Sequence, residues 1–230
     1  MRFDAPLRLT SARAWRTYLG GRFLDELHGV ASPADTHFPE EWICSAVRAV
    51  NPGREDVVEG LCRLAGTDLT LKDALEAHPA EMLGAAHVAR WGRTPAVLVK
   101  LIDAAERLGV QVHPDRAAAM RFFASPFGKT ECWHVVGGRE IGGPSETPCF
   151  ALERLDVADE MPFPSAPGAF CGLFVLSGRG TLESAAGAEP LRPCDQFFVP
   201  AASAGFRIRA ESPLAIFLAR PPQSPAPAVV

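Results

Sequence analysis

From Pro95 onward the sequence is a series of short segments rich in Val, Leu, Ile and Phe, separated by Gly and Pro, and this pattern restricts the fold most. Short apolar runs bounded by turn residues are typical of β-strands, and their spacing here suits a sandwich or a jelly roll. One helix, over 116–123, interrupts the series. The predicted strands cover 96–102, 109–113, 131–136, 149–155, 172–176, 180–184, 196–200, 206–208 and 214–218.

Up to about residue 90 the apolar pattern instead favours helices. Val57, Val58, Leu61, Cys62 and Leu64 recur at helical spacing. Thr70 followed three residues later by Asp73 predicts an N-cap, and Pro79 is expected to interrupt or restart that helix. The sequence therefore predicts a mainly β protein with a helical N-terminal part.

Composition excludes several function classes. The 230 residues are 47% hydrophobic and carry a net charge of −4, without a basic block, which argues against a nucleic-acid partner. No apolar run reaches the roughly 18 residues of a membrane span, and the N-terminus lacks a signal-peptide pattern, so we expect a cytoplasmic protein without a membrane partner. Because they are widely spaced, the six cysteines are predicted to be reduced, mostly buried thiols: Cys44, Cys62, Cys132, Cys149, Cys171 and Cys194.

A candidate metal site lies at the start of the strand-rich part. On a predicted strand, Gln111 and His113 share one face, while Val110 and Val112 would face the core. Glu131 is the first residue of the next predicted strand, where its carboxylate could bind the same cation. Lys129, two residues earlier, could bind an anion. The spacing of Gln111 and His113 alone is weak evidence for metal binding, because a histidine before Pro-Asp is more often a turn residue at the end of a strand.

Several runs of this sequence resemble the type I, zinc-dependent phosphomannose isomerases, which are also called mannose-6-phosphate isomerases. The central stretch carries LVKLIDA at 98–104, VQVHPD at 110–115 and GKTECW at 128–133. In the N-terminal part, Trp15 with Gly20-Gly21-Arg22 and EWICSA at 41–46 resemble further family segments. Three segments are similar to the family's C-terminal cupin module: FALERLD at 150–156, the predicted turn at 178–182 and CDQFFVPA at 194–201.

The resemblance implies a fold, a domain division and an activity. The fold would be a cupin-like (RmlC-like) jelly roll, with one of two cupin units incomplete. A helical region with the metal-site strands would span 1–136, a C-terminal cupin-like module 149–220, and a flexible proline-rich tail 221–230. The activity would be aldose–ketose isomerisation of mannose 6-phosphate and fructose 6-phosphate, with a small-molecule sugar phosphate as partner.

The resemblance also implies residue roles. Gln111, His113 and Glu131 would be ligands of one Zn²⁺ ion. Lys100 and Lys129 match family lysines that line the site, so the resemblance implies that both are catalytic and bind the substrate. Trp133 could line the substrate pocket. Another interpretation of Trp133 is a core residue.

The chain departs from the family in two respects. The family's fourth metal ligand is a histidine in a P-G-D…H-A segment, and neither it nor the arginine after it has a counterpart here. The family's bridging region is absent between about 137 and 149. Water, a nearby side chain or a partner subunit could complete the shell, or the site could be weak. A non-catalytic cupin-like module that binds a sugar phosphate or regulates a partner is therefore the alternative hypothesis. Unpaired strand edges would also favour a homodimer.

The remaining histidines have plainer interpretations. His134 lies an odd number of residues from Glu131, so on a regular strand it would point to the opposite face and pack or lie at the surface. The histidines of the N-terminal part are expected to be exposed or capping residues; they are His28, His37, His78 and His87.

Overall fold

The computed structural model describes residues 3–109, 111–133, 151–163, 168–184, 187–203 and 205–221. The chain divides into two compact units. The larger unit combines Met1–Leu108 with Leu152–Pro221, and the smaller one is built on Gly109–Ala151. The predicted loop at 137–148, His134 and the tail beyond Pro221 lie outside the described residues.

A seven-stranded antiparallel sheet dominates the larger unit. Its strands are β1 (Leu7–Leu9), β7 (Ala151–Val157), β8 (Glu160–Pro162), β9 (Cys171–Ser184), β10 (Gly187–Leu191), β11 (Gln196–Val199) and β12 (Arg207–Arg220). Their order in the sheet is β1-β11-β9-β12-β7, with β10 added to β9 and β8 added to β12. The two long strands, β9 and β12, pair along most of their length and form its centre.

The core of this sheet follows from the alternation of its apolar residues. Leu173 and Val175 of β9, and Ile216 and Leu218 of β12, are completely buried, because alternate side chains of a strand share one face. Further buried residues of the same cluster include Val157, Phe163, Leu182, Leu191, Phe197, Phe206 and Ile208. The prediction of a mainly β fold is confirmed.

The predicted turn around Gly178 is wrong, because that residue lies inside β9. Gly178 has a φ of 86°, and a Cβ there would stand 2.1 Å from the backbone oxygen of Pro213. Glycine therefore lets the strand bend past β12 without ending. The four predicted strands at 172–176, 180–184, 206–208 and 214–218 accordingly merge into two.

Short strands occupy much of the N-terminal region that was predicted to be helical. A three-stranded sheet joins β2 (Arg13–Ala14), β3 (Glu40–Ile43) and β6 (Val99–Ile102), and a two-stranded one joins β4 (Ala46–Ala49) and β5 (Glu59–Leu61). The helical prediction for 57–64 is wrong, since β5 lies there. Gly60 has a φ of 82° and lies against the Trp42 ring, where a Cβ would come within 2.6 Å. The strand predicted at 96–102 is confirmed as β6.

Four helices complete this region: α1 (Arg22–Leu27), α2 (Leu71–Ala77), α3 (Pro79–Leu83) and α4 (Ala85–Trp91). The predicted N-cap is confirmed, because the Thr70 hydroxyl accepts from the Asp73 backbone N–H and the Asp73 carboxylate accepts from the Thr70 backbone N–H. The predicted restart at Pro79 is also confirmed. Within the described ranges, no helix combines the length and apolar character that crossing a lipid bilayer requires.

We expect Thr70→Ala to destabilise the protein by about 1 kcal/mol, because the substitution leaves the Asp73 backbone N–H without its capping acceptor. Urea unfolding followed by circular dichroism measures this. Glu76→Ala, at an exposed position later in α2, is the matched control and should change the free energy of unfolding by less than about 0.5 kcal/mol. Equal losses in both variants would contradict a specific capping role.

The smaller unit contains the predicted helix, α5 (Arg116–Phe123), which begins after the N-cap Asp115. The predicted strands around it are wrong for the residues described, because 111–113 and 131–133 have no strand structure. Val112 is 91% exposed instead of facing the core, while Val110 and 134–136 lie outside the described residues. The two segments instead meet through a backbone hydrogen bond of 2.9 Å from Lys129 N–H to the Pro114 carbonyl.

The cysteines were predicted to be reduced and mostly buried. All five that the structure describes are free. Only Cys62 and Cys171 are buried, whereas Cys44, Cys132 and Cys194 are partly exposed, so the prediction of mostly buried thiols is wrong for the described residues. Cys149 lies outside the described residues.

Candidate metal centre

The three predicted metal ligands come from the two chain segments that flank α5. Gln111 and His113 precede the helix, and Glu131 follows it. After the helix, Ala124 takes up a left-handed conformation and turns the chain back. The Gly128 backbone then lies so close to Pro114 that a Cβ would come within 2.9 Å of its oxygen. Local turns around one short helix thus bring the segments together.

The three donor atoms converge on one cation, the ammonium group of Lys129. Its Nζ atom lies 3.0 Å from Gln111 Oε1, 2.8 Å from His113 Nε2 and 2.6 Å from Glu131 Oε2. His113 Nε2 and Glu131 Oε2 are 3.0 Å apart. The structure therefore brings the predicted donors together, although no strand holds them.

This donor set fits a metal ion. An amide oxygen, an imidazole nitrogen and a carboxylate oxygen lie within 3.0 Å of a common centre, and zinc takes such ligands at about 2.0–2.2 Å. Small inward movements of the side chains would bring them to that range. No group of three His, Cys, Asp or Glu side chains suited to a metal ion occurs in the described part of the chain. This cluster supplies one histidine and one glutamate, with an amide as its third donor.

The cluster is open to water. The side chains of His113, Glu131 and Lys129 are 36%, 24% and 44% exposed. Trp133, two residues after Glu131, is 53% exposed, so the interpretation as a core residue is wrong. Water could therefore reach an ion held by these side chains. The role of Trp133 at a substrate stays a prediction.

Lys100 lies in the larger unit, on β6, and has its own set of partners there. Its Nζ atom is 3.2 Å from Glu40 Oε2 and 5.2 Å from the centre of the Trp42 ring. Opposite charge and an aromatic face thus explain a lysine in an otherwise apolar strand. Its predicted catalytic and substrate-binding roles stay predictions.

A network of polar contacts surrounds Glu40, and no prediction from the sequence included it. This buried carboxylate accepts hydrogen bonds from the Tyr18 hydroxyl at 2.8 Å and from the Trp42 indole at 2.7 Å, and it pairs with Arg16 at 3.0 Å. Burial alone would raise the pKa of Glu40, but Arg16, Lys100 and Trp42 together lower it below its ordinary value. Burial and then the Glu40 carboxylate raise the pKa of Tyr18 well above its ordinary value. The signal was present as two adjacent glutamates inside the strand β3.

A second buried carboxylate, Glu41, contacts His28 rather than Glu40's partners. Glu41 is completely buried, and His28 Nε2 lies 2.6 Å from its Oε2 atom. Hydrogen bonding raises the pKa of His28 to about 10; the Cys194 side chain contributes most and Glu41 next. Burial of the ring acts in the opposite direction. His28 is the C-cap residue of α1, in agreement with its predicted role as an exposed or capping residue. Its side chain is partly buried and pairs with Glu41.

Sequence comparison relates parts of this chain to mannose-6-phosphate isomerases. It is 37% identical over 117 residues to "Probable mannose-6-phosphate isomerase GmuF" of Bacillus subtilis, covering 51% of this chain and 33% of that protein. It is 31% identical over 93 residues to the mannose-6-phosphate isomerase of Escherichia coli, covering 40% of this chain and 22% of that protein. No profile of a known protein family matches. The chain therefore spans about a third or less of the length of the curated relatives it matches.

Solved structures agree on the fold. The mannose 6-phosphate isomerase of Bacillus subtilis superimposes with a TM-score of 0.66 and 17% identity over 94% of this chain and 99% of that chain. This chain is similar to the mannose-6-phosphate isomerases, in sequence over part of its length and in fold. The apo form of mannose 6-phosphate isomerase from Salmonella typhimurium superimposes with a TM-score of 0.69 and 12% identity over 96% of this chain and 100% of that chain. The predicted phosphomannose isomerase fold is thereby confirmed.

Proposed function

We propose that this chain is a metal-dependent aldose–ketose isomerase that interconverts mannose 6-phosphate and fructose 6-phosphate. One Zn²⁺ ion would be held by Gln111, His113 and Glu131. The observation that carries the proposal is the convergence of these three donors on one cation position within 3.0 Å. Relatives with this activity in their names support the choice of substrate.

The proposed chemistry divides between the ion and the protein. A zinc ion bound there would act as a Lewis acid that polarises the substrate carbonyl, which favours proton transfer between C2 and C1. Lys129 lies beside the donors, so its ammonium group would hold the phosphate or the developing enediolate charge. We assign Lys100 a supporting role at the substrate, and Trp133 a role in lining the pocket.

A second candidate function is a non-catalytic module that binds a sugar phosphate. The exposure of the donor side chains favours it, since a water-filled site screens the charges that stabilise an enediolate. The sequence also carries no histidine after His134 that could serve as a further ligand. Such a module would bind mannose 6-phosphate without turnover.

Metal removal separates the two functions. We expect protein purified without added metal to contain up to one equivalent of zinc, and dialysis against a chelator to abolish the conversion of mannose 6-phosphate to fructose 6-phosphate in a coupled assay. Adding zinc back should restore the rate. Zinc binding without any turnover at saturating substrate would favour the non-catalytic module, and turnover that survives complete metal removal would contradict the proposal.

We also propose a cytoplasmic location. Free thiols at all five described cysteines suit a reducing compartment.

We further propose that the chain forms a homodimer. Light scattering of the purified chain tests this, and a monomeric mass at micromolar concentration would contradict it.

A further inference from the structure

The ammonium group of Lys129 occupies the position that a metal ion would need. It lies 2.6–3.0 Å from all three donor atoms, so an ion bound to the same atoms would overlap with it. Charge repulsion between an ammonium group and a divalent ion at such short range adds to this exclusion. Lys129 and a metal therefore cannot use this donor set at the same time.

We propose that Lys129 is an internal competitor of the metal: it closes the donor set when no ion is bound, and metal binding displaces its ammonium group and frees it for the sugar phosphate. This inference rests on the proposed function. It adds that metal loading creates the anion-binding group. Metal and sugar phosphate binding would then be positively coupled.

The local geometry permits this exchange. The Lys129 side chain is 44% exposed, so its flexible stem can carry the charged end from the donors into water. Three charge-assisted contacts hold it in the closed position, and they are replaced by metal–ligand bonds on loading. If the closed position is occupied about nine-tenths of the time, the apparent metal affinity is reduced about tenfold.

Amine labelling reports directly on the position of Lys129. The chain has only three lysines, at 72, 100 and 129, so acetylation by a succinimidyl ester can be followed at each by mass spectrometry. We expect zinc to raise the labelling rate at Lys129 several-fold. Lys72, half-exposed on α2, is the internal control and should not change. Mannose 6-phosphate should protect Lys129 again in the zinc-loaded protein and have no effect without zinc.

A substitution provides the second measurement. Lys129→Met should tighten zinc binding about tenfold in a chelator-competition titration and lower the melting temperature of the metal-free protein. Lys72→Met should leave both unchanged. An unchanged or slower labelling rate at Lys129 in zinc-saturated protein overturns the inference, as does weaker zinc binding by Lys129→Met.

The outcomes separate this inference from the proposed function. If wild-type protein binds zinc and turns over substrate while Lys129 labelling stays constant, only the competitor role fails. If neither the wild type nor Lys129→Met binds zinc, the metal centre and the competitor role fall together. Zinc uptake by Lys129→Met alone would support an especially strong competitor.

Discussion

Replacement of His113 by alanine is expected to weaken zinc binding at least about a hundredfold and to reduce isomerase turnover by about a thousandfold or more. The imidazole is the single nitrogen donor in a set of three, and its Nε2 atom lies within 3.0 Å of both Lys129 Nζ and Glu131 Oε2. Without it, an amide and a carboxylate would hold the ion on an exposed surface, where water competes for both. Metal titration and the coupled assay measure the two effects.

His78→Ala is the matched control, because His78 is exposed in the other unit and caps α2. This variant should keep the wild-type zinc affinity and turnover. Circular dichroism should show His113→Ala to be folded, because the side chain is partly exposed and lies outside the buried core. Unchanged turnover in His113→Ala would remove the basis of the proposed isomerase.

Protein stability is expected to fall by roughly 1–2 kcal/mol as the pH rises from about 6.5 to 8.5, through the titration of His28, because solvent screens part of the interactions of this partly exposed ring. The pKa of His28 is about 10 in the folded protein, against an ordinary value of 6.5 for histidine. The folded state therefore binds a proton that the unfolded state releases in this range. The stabilisation is complete below about pH 6.5 and is lost as the pH rises toward 10.

His28→Gln removes this proton and should flatten the dependence between pH 6.5 and 8.5 in urea unfolding measurements. Cys194→Ser should reduce the slope, since the Cys194 side chain contributes most to the raised pKa of His28. Burial also raises the pKa values of Cys62 and Cys171, and this makes stability fall above about pH 8.5 in wild type and variants alike. Parallel curves for wild type and His28→Gln below that pH would contradict the assignment.

The parts of the fold that depend on local signals could be predicted from the sequence. The helix over 116–123 was found at its observed bounds, because Asp115 supplies an N-cap acceptor directly before it. Thr70 and Asp73 gave the start of α2 for the same reason. The buried strands of the large sheet followed from apolar residues between glycines and prolines, although their fusion into β9 and β12 did not.

Features that depend on distant residues were missed. The short strands β4 and β5 carry weak local patterns and form because they pair with each other and lie near Trp42. Glu40 and Glu41 are buried because Arg16, Lys100 and His28 reach them from other elements, which no local pattern reveals. At the candidate metal centre the three predicted donors do lie close together, but the predicted reason is wrong, since turns around α5 replace the predicted strands. Their role as metal ligands stays a prediction.

All three proposed metal donors belong to one short stretch of chain, from Gln111 to Glu131, with a capped helix between them. An ion that joins both ends of this stretch closes a loop of low sequence separation, and such a closure costs little chain entropy. The assembly of the centre is then a short-range event that does not depend on pairing distant strands of the large sheet. Metal supply would thus act on the local order of this stretch as well as on its chemistry.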